Sequence, residues 1–140
     1  HEEKEYNQSA AVPFRLIEGE LQILLITSRK KNWGVPKGFI EYDLNREESA
    51  AKEAYEEAGI SGEIIPVPIG NYTYHKWGID CHVLVFPMQV SYLLNNWPED
   101  YFRERKWVPI QDAVHLIRNK DLGKIVGQLP QLLKEINYAG

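Results

Sequence analysis

The chain has 140 residues, of which 44% are hydrophobic and 26% charged, the balance of an ordinary soluble globular protein. Its formal net charge of −4 argues neither for nor against a nucleic acid partner. No apolar run approaches the roughly 20 residues that span a bilayer, and the single Cys81 excludes an internal disulfide or a cysteine metal cluster. No signal peptide is visible, so we expect one cytoplasmic domain over residues 1–140, with a frayed polar segment over residues 1–8.

The first elements predicted along the chain are a hairpin and a loop. Two apolar runs in "AAVPFRLIEGELQILLITSRK" flank the turn at residues 18–20 and predict two antiparallel strands. The next stretch, "KNWGVPKGF", is interrupted by two glycines and a proline, which predicts the edge of a strand and a loop.

A helix is predicted next, from about Asn45 to Ala58. Asn45 can cap its start, and Glu48 stands three residues later, which is the spacing of a capping box. Gly59 suits the left-handed position that commonly follows a helix. On such a helix, Ala51, Ala54, Tyr55 and Ala58 would form the apolar face, which is mostly small and able to approach a sheet closely.

The second half of the chain predicts strands and then helices. The segment "SGEIIPVPIGNYTYHKWGIDCHVLVFPMQV" indicates strands that turn near residues 76–78, and "RKWVPI" indicates a last short strand. "IQDAVHLIRN" and "DLGKIVGQLPQLLKEI" have the pattern of amphipathic helices, the second kinked near Pro130. Strands first, one helix in the middle and helices at the end predict a mixed α/β domain.

The polar face of the central helix carries three carboxylates within one turn. At about 100° per residue, Glu56 and Glu57 lie roughly 60° and 40° to either side of Glu53. Like charges at this spacing repel, and the helix dipole disfavours them near the C-terminus. A hard cation such as Mg²⁺ would reverse both penalties, although a solvated acidic face remains the alternative.

The loop before this helix adds features suited to a phosphate ligand. Gly38 allows the backbone to approach a ligand or ion closely. Lys37 stands beside it, and Arg29 and Lys31 lie just upstream, where their side chains could face phosphate oxygens. Surface solubility is the alternative role for each of these basic residues.

The stretch "VPKGFIEYDLNREESAAKEAYEEAGI" resembles the signature of the Nudix hydrolases, G-x5-E-x7-R-E-U-x-E-E-x-G-U, where U is a bulky apolar residue. The register fits without gaps from Gly38 to Ile60. Leu44 stands where the family has a glutamate, Lys52 where it has an arginine, and Ala54 at the first U. The resemblance implies an α/β fold, an α/β/α sandwich with a mixed β-sheet.

The resemblance also implies a set of site residues and a cofactor, Mg²⁺ or Mn²⁺. Its catalytic residues would be Glu53, Glu56 and Glu57, with Lys52 orienting a glutamate in place of the arginine. The metal ligands would be Gly38, through its carbonyl, together with Glu53, Glu56, Glu57 and a later acid. We expect that later acid to be Glu99, with Asp100 and Glu104 as alternatives. The substrate-binding residues would be Lys37, Arg29, Lys31, Arg103 and Arg105.

The activity implied is metal-dependent cleavage of a phosphoanhydride bond in a small polyphosphorylated molecule. The flanking segments look most like subgroups that act on dinucleoside polyphosphates or diphosphoinositol polyphosphates. A nucleoside triphosphate or an RNA 5′ end is an alternative substrate, and a catalytically weak nucleotide- or partner-binding domain is an alternative of another class. We expect no membrane association and no nucleic acid partner apart from such an RNA end. Oligomeric state does not follow from the sequence.

Overall fold

A computed structural model describes residues 5–138 of the chain. The predicted frayed segment covers residues 1–8, and its first half lies outside the described residues. Gln8 contradicts that prediction, because it begins the first strand and is 4% exposed. The backbone of Asn7 explains this order, since its amide donates to the carbonyl of His82 and its carbonyl accepts from the amide of Ile40.

The strands form a mixed sheet, in agreement with the predicted fold class. Every strand pair is antiparallel except β1 and β7, which are parallel. Both predicted hairpins are present, with turns at Glu18–Gly19 and Trp77–Gly78 that have positive φ at both positions. The strands are β1 (Gln8–Ile17), β2 (Glu20–Thr27), β3 (Trp33–Gly34), β4 (Lys37–Phe39), β5 (Ile60–Ile64), β6 (Gly70–Lys76), β7 (Ile79–Leu93) and β8 (Arg105–Pro109).

The helices are α1 (Arg46–Glu53), α2 (Ile110–Leu116), α3 (Lys120–Val126) and α4 (Leu129–Glu135). The predicted capping box of α1 is present, since Asn45 and Glu48 exchange side-chain and backbone hydrogen bonds. The predicted kink near Pro130 is a break between α3 and α4. Pro130 lies in the first turn of α4, where its missing amide hydrogen leaves no gap in the helix.

The sheet lies between two apolar layers, which makes the fold the predicted α/β/α sandwich. Residues of α2, α3 and α4 pack with Val12, Phe14 and Ile23 on one face. Residues of α1 pack with Ala11, Leu24 and Phe86 on the other face. Within residues 5–138, none of the helices has the length and apolar character needed to cross a membrane.

The end of the central helix differs from the predicted α-helix. Residues Ala54–Ala58 form a π-helical turn that continues α1, and Gly59 follows it with φ of 64°. The buried stripe consists of Ala50, Ala54 and Ala58, each 0% exposed. The predicted apolar face was therefore wrong at Tyr55, which is 46% exposed, because the stripe repeats every four residues from Ala50.

One edge of β1 has two partners, and this creates the place where the functional site lies. β2 pairs with β1 from Phe14 to Ile17, and β4 pairs with the same edge from Gln8 to Ala10. If β2 continued in register, Thr27 would lie opposite Ala10, but Lys37 of β4 occupies that position. The ends of β2 and β4 therefore diverge and leave a gap between Thr27 and Lys37.

Ala54 tests how closely α1 must approach the sheet. We expect Ala54→Leu to lower the free energy of unfolding by about 1–3 kcal/mol, because the site has no room for a larger side chain. Ala51→Leu, on a partly exposed side of the same helix, should change it by less than about 0.5 kcal/mol. Urea denaturation of both variants measures this difference. Equal unfolding free energies would contradict the packing assigned to Ala54.

Candidate active site

A buried ion pair fills the gap between β2 and β4. Oε1 of Glu57 accepts a hydrogen bond from the backbone amide of Lys37 at 3.2 Å. Nη1 of Arg103 donates to the carbonyl of Thr27 at 2.7 Å. Nη2 of Arg103 lies 3.5 Å from Oε2 of Glu57, and both side chains are only 13% exposed. The pair therefore connects the two diverging strands and satisfies a backbone group on each.

Glu53 and Glu57 lie close together beside Gly38. A Cβ atom at Gly38 would overlap the carboxyl group of Glu53, so only glycine leaves room for this approach. Burial raises the pKa of Glu57 to about 8, and the nearby guanidinium of Arg103 opposes that rise. Burial also raises the pKa of Glu53, while a hydrogen bond with Glu57 opposes the rise. Both carboxylates are thus held where their negative charge is poorly solvated.

Among the three later acids, Glu99 is the one that approaches this pair. Its Oε1 lies 2.8 Å from Nε and from Nη2 of Arg103, and its charge contributes to the raised pKa values of Glu53 and Glu57. Oδ2 of Asp100 instead accepts from the backbone amide of Trp97 at 3.0 Å. The side chain of Glu104 is exposed, while its backbone amide pairs with Oγ1 of Thr27.

Lys52 lies in a network that includes one acid outside the motif positions. Its Nζ is 2.6 Å from Glu56 and 2.6 Å from Glu41. These hydrogen bonds raise the pKa of Lys52, so it stays charged. Lys52 thus holds Glu56, whereas the arginine of the family would orient the neighbouring glutamate, which is Glu53 in this chain. The motif has a glutamate at the position of Leu44, and Glu41 supplies a carboxylate three residues before that position.

Three of the predicted substrate-binding cations gather around Phe102. The guanidinium of Arg29 lies 4.0 Å from the centre of the Phe102 ring, and that of Arg103 lies 4.8 Å from it. Nζ of Lys31 donates to the Phe102 carbonyl at 3.4 Å. Arg29 and Lys31 are exposed, so this flank of the carboxylate cluster presents positive charge to solvent.

Lys37 packs on an aromatic ring near the cluster. Its Nζ is 4.8 Å from the centre of the Tyr74 ring, and Tyr74 donates a hydrogen bond to Oε1 of Gln8 at 2.9 Å. Burial lowers the pKa of Lys37, and the negative charge of Glu57 opposes that shift. The Lys37 ammonium thus lies within electrostatic range of Glu57, and its role in substrate binding stays a prediction.

Arg105 requires a correction to its predicted role in substrate binding. Its Nη1 donates to the carbonyls of Ala58 at 2.7 Å and Gly59 at 3.1 Å, and its Nη2 donates to the carbonyl of Leu94 at 2.5 Å. The guanidinium also lies 3.9 Å from the centre of the Trp97 ring. These contacts occupy the guanidinium. Alternation along β8 places Arg105 on the same face of the sheet as Trp107, which packs on the side of α1.

Two residues near the site were not identified from the sequence. Trp97 donates from Nε1 to the carbonyl of Glu57 at 3.0 Å, a contact between residues 40 positions apart that no local pattern indicates. Thr27 is 3% exposed and bonds the segment around Arg103 through its backbone and Oγ1. In the sequence, only its place at the end of an apolar strand distinguishes Thr27.

The donor set suits a hard divalent cation. Carboxylate and carbonyl oxygens are the ligands that Mg²⁺ takes, and Glu53, Glu56, Glu57, Glu99 and the carbonyl of Gly38 would provide them. In residues 5–138, no group of three or more histidine, cysteine or acidic side chains is gathered in metal-binding geometry. Glu56, Glu57 and Glu99 are instead paired with Lys52 or Arg103. The raised carboxyl pKa values of Glu53 and Glu57 indicate that these cations offset only part of the negative charge, which a divalent cation would also offset.

Comparisons with known proteins identify the family of the chain. The NUDIX domain family model matches residues 6–129. Nudix hydrolase 21, chloroplastic, of Arabidopsis thaliana is 39% identical over 117 residues, which cover 77% of this chain and 58% of that protein. Diphosphoinositol polyphosphate phosphohydrolase 3-alpha of Mus musculus is 30% identical over 115 residues, 79% of this chain and 68% of that protein.

A solved structure shares the fold as well. The C. elegans Ap4A hydrolase in a binary complex aligns with a TM-score of 0.79 at 19% identity, covering 91% of this chain and 97% of that one. The chain thus spans the solved domain almost completely but less than two thirds of the Arabidopsis relative. With the motif in place from Gly38 to Ile60 and the family model matched over most of its length, the chain belongs to the NUDIX domain family.

Proposed function

We propose that this chain is a divalent-metal-dependent pyrophosphohydrolase that cleaves a phosphoanhydride bond in a small polyphosphorylated molecule. The observation that carries the proposal is the meeting of Glu53, Glu57 and Glu99 beside Gly38, in a gap bordered by basic residues. Two poorly solvated carboxylates, with a third beside them and a close backbone approach at Gly38, have little use in a domain that only binds a partner.

The residues divide into three roles in this proposal. Glu56, Glu57, Glu99 and the carbonyl of Gly38 would hold the cation. When bound, Mg²⁺ or Mn²⁺ would neutralise charge on the phosphoryl oxygens and make water a better nucleophile. Glu53 would accept the proton from the attacking water or serve as a further ligand.

The basic residues support a substrate with several phosphates. Arg103 lies between the carboxylates and Phe102, and Arg29 and Lys31 extend the positive charge away from the site. Lys37 adds a further cation near Glu57. A substrate with several phosphates would therefore meet several positive charges. A dinucleoside polyphosphate and a diphosphoinositol polyphosphate are such substrates, and the names of the mouse relative and of the C. elegans structure point to the same classes.

Other substrates and a domain that binds without turnover are the alternative functions that the substrate panel also tests. A nucleoside triphosphate or an RNA 5′ end also carries several phosphates and would meet the same positive charge. The catalytically weak binding domain is favoured by Leu44 alone, since Lys52 retains its contact with a site glutamate. Cytoplasmic location stays a prediction, because the Arabidopsis relative carries a chloroplastic name.

Incubation with Mg²⁺ and a substrate panel tests the proposal. The panel should contain diadenosine tetraphosphate, a diphosphoinositol polyphosphate, a nucleoside triphosphate, a triphosphorylated RNA and ADP-ribose. We expect turnover of a substrate of the first two kinds, with product masses that show which anhydride bond breaks. Binding of these compounds without any phosphate-containing product would overturn the enzymatic reading.

Glu57→Gln should lower kcat by at least about 100-fold, since removing even an outer partner of a metal ligand costs about 10–100-fold. The metal-free variant should still fold, at the melting temperature of the wild type or below it, because the smaller cost of burying an amide is opposed by the loss of an ion pair with Arg103. Steady-state kinetics and a thermal melt measure both effects. Wild-type turnover in this variant would show that Glu57 is not a metal ligand.

Glu99→Gln should raise the Mg²⁺ concentration needed for half-maximal activity by about 10-fold or more. Glu104→Gln is the matched control and should leave that concentration within about 2-fold of the wild type, because Glu104 is exposed and outside the cluster. A Mg²⁺ titration at saturating substrate makes the comparison. A larger effect in the Glu104 variant would reverse the choice between these two acids.

A further inference from the structure

The carbonyl groups at the end of the π-helical turn have unusual partners. The last four carbonyls of a helix lack partners within the helix and commonly face water. Here four consecutive carbonyls accept hydrogen bonds from one later segment, residues 94–105, which we term the clamp segment. The carbonyl of Glu56 accepts from the Glu99 amide, that of Glu57 from Trp97 Nε1, that of Ala58 from Arg105 Nη1, and that of Gly59 from Arg105 Nη1 and the Leu94 amide.

Within the clamp segment, Trp97 and Arg105 act as one unit. The guanidinium stacks on the indole at 3.9 Å, and Asp100 fixes the turn by accepting from the Trp97 amide. The indole also lies against Gly59, where an added Cβ would come within 2.6 Å of the ring. The absence of a side chain at Gly59 therefore permits this contact as well as the positive φ.

The same segment delivers two other site residues. Glu99 and Arg103 lie between Trp97 and Arg105 in the chain, and both contact the cluster around Glu57. The distance between Glu57 and Glu99 thus depends on how the clamp segment is attached to the helix end. Arg105 makes two of the five hydrogen bonds of that attachment, to the carbonyls of Ala58 and Gly59, and its Nη2 also bonds the carbonyl of Leu94 within the clamp segment.

Electrostatics give Arg105 a second effect on the same turn. The C-terminal end of a helix carries partial negative charge, which Glu56 and Glu57 increase. A guanidinium bonded directly to the terminal carbonyls offsets that charge without occupying the carboxylates. Lysine would keep the charge, but it lacks the planar fork that bridges separate carbonyls.

We propose that Arg105 and Trp97 are positioning residues that set the placement of Glu57 relative to Glu99 and so determine the affinity of the site for a divalent cation. This inference rests on the proposed function in one respect, the assignment of those two acids as metal ligands. It concerns residues outside the signature motif and assigns them no contact with substrate.

Mn²⁺ binding without substrate, followed by electron paramagnetic resonance or calorimetry, tests the inference on the full chain. Arg105→Ala should weaken Mn²⁺ binding by about 10-fold or more, as the loss of an outer partner of a metal site does. Arg105→Lys should recover only part of that loss. Trp97→Phe keeps the ring but removes the Nε1 donor, so it should weaken binding less than Arg105→Ala.

The chain offers a matched control for both changes. Arg15 also stacks on an indole, that of Trp107 at 4.2 Å, and its Nε bonds Oε1 of Gln22, away from the cluster. Arg15→Ala and Trp107→Phe should leave Mn²⁺ affinity within about 2-fold of the wild type, even where they lower the melting temperature. Hydrogen exchange should rise at residues 56–60 in Arg105→Ala and stay unchanged in Arg15→Ala.

The possible outcomes distinguish the positioning role from the proposed function. Wild-type Mn²⁺ affinity in Arg105→Ala, or equal losses in the Arg105 and Arg15 variants, would overturn the positioning role. If Arg105→Ala does not fold, Arg105→Lys and Trp97→Phe carry the test, and unchanged Mn²⁺ affinity in both would overturn it. Mn²⁺ binding by the wild type with no turnover of any panel substrate would refute the proposed function while the positioning role still stood. Absence of Mn²⁺ binding by the wild type would refute both.

Discussion

The ion pair between Glu57 and Arg103 is the contact on which the rest of the site depends. A strand edge shared by β2 and β4 leaves backbone groups without ladder partners where the two diverge, and such groups are costly when buried. Glu57 takes the Lys37 amide on one side, and Arg103 takes the Thr27 carbonyl on the other. Side chains of the site thereby complete the hydrogen bonding of the sheet. Charged side chains, rather than a further strand, fill the gap between β2 and β4.

This arrangement places a cost on the metal-free fold. Glu53 and Glu57 share a poorly solvated space, and burial is the largest cause of the rise in both carboxyl pKa values. Arg103 compensates part of that cost for Glu57. The alanine stripe of α1 works in the same direction, because close packing against the sheet fixes the helix whose end must hold these charges. The packing that stabilises the helix lies against the sheet, and the unfavourable burial of carboxylates lies at the end of the helix.

The sequence predicted the fold well because its signals were local. The hairpin at residues 18–19, the capping box at Asn45 and the break near Pro130 each depend on neighbouring residues, and each is present. The family motif added the sandwich and the cluster of glutamates. The predicted roles of those glutamates remain predictions, although the structure brings Glu53, Glu57 and Glu99 together.

The failures came from contacts that bridge distant parts of the chain. Arg105 has the composition of a phosphate-binding residue, but its direction was set by carbonyls 46 and 47 positions away and by Leu94. Trp97 gave no indication that it would bond the helix carrying Glu57. Tyr55 was misplaced because an ideal α-helix was assumed through a segment that is a π-helical turn. For Arg105 and Trp97 the deciding partner lay in another element of the fold.

The π-helical turn links the positions of the glutamates to the number of residues that it holds. A turn of this kind holds one more residue than the α-helical turn that it replaces. Deleting Ala54 or Tyr55 would shorten the spacing from Glu53 to Glu56 and Glu57 to two and three residues, which changes the angles between these side chains on the helix. The count of residues in this turn is thus part of the site, as much as their chemical identity. Two sequences with the same acids and a different count would not encode the same cleft.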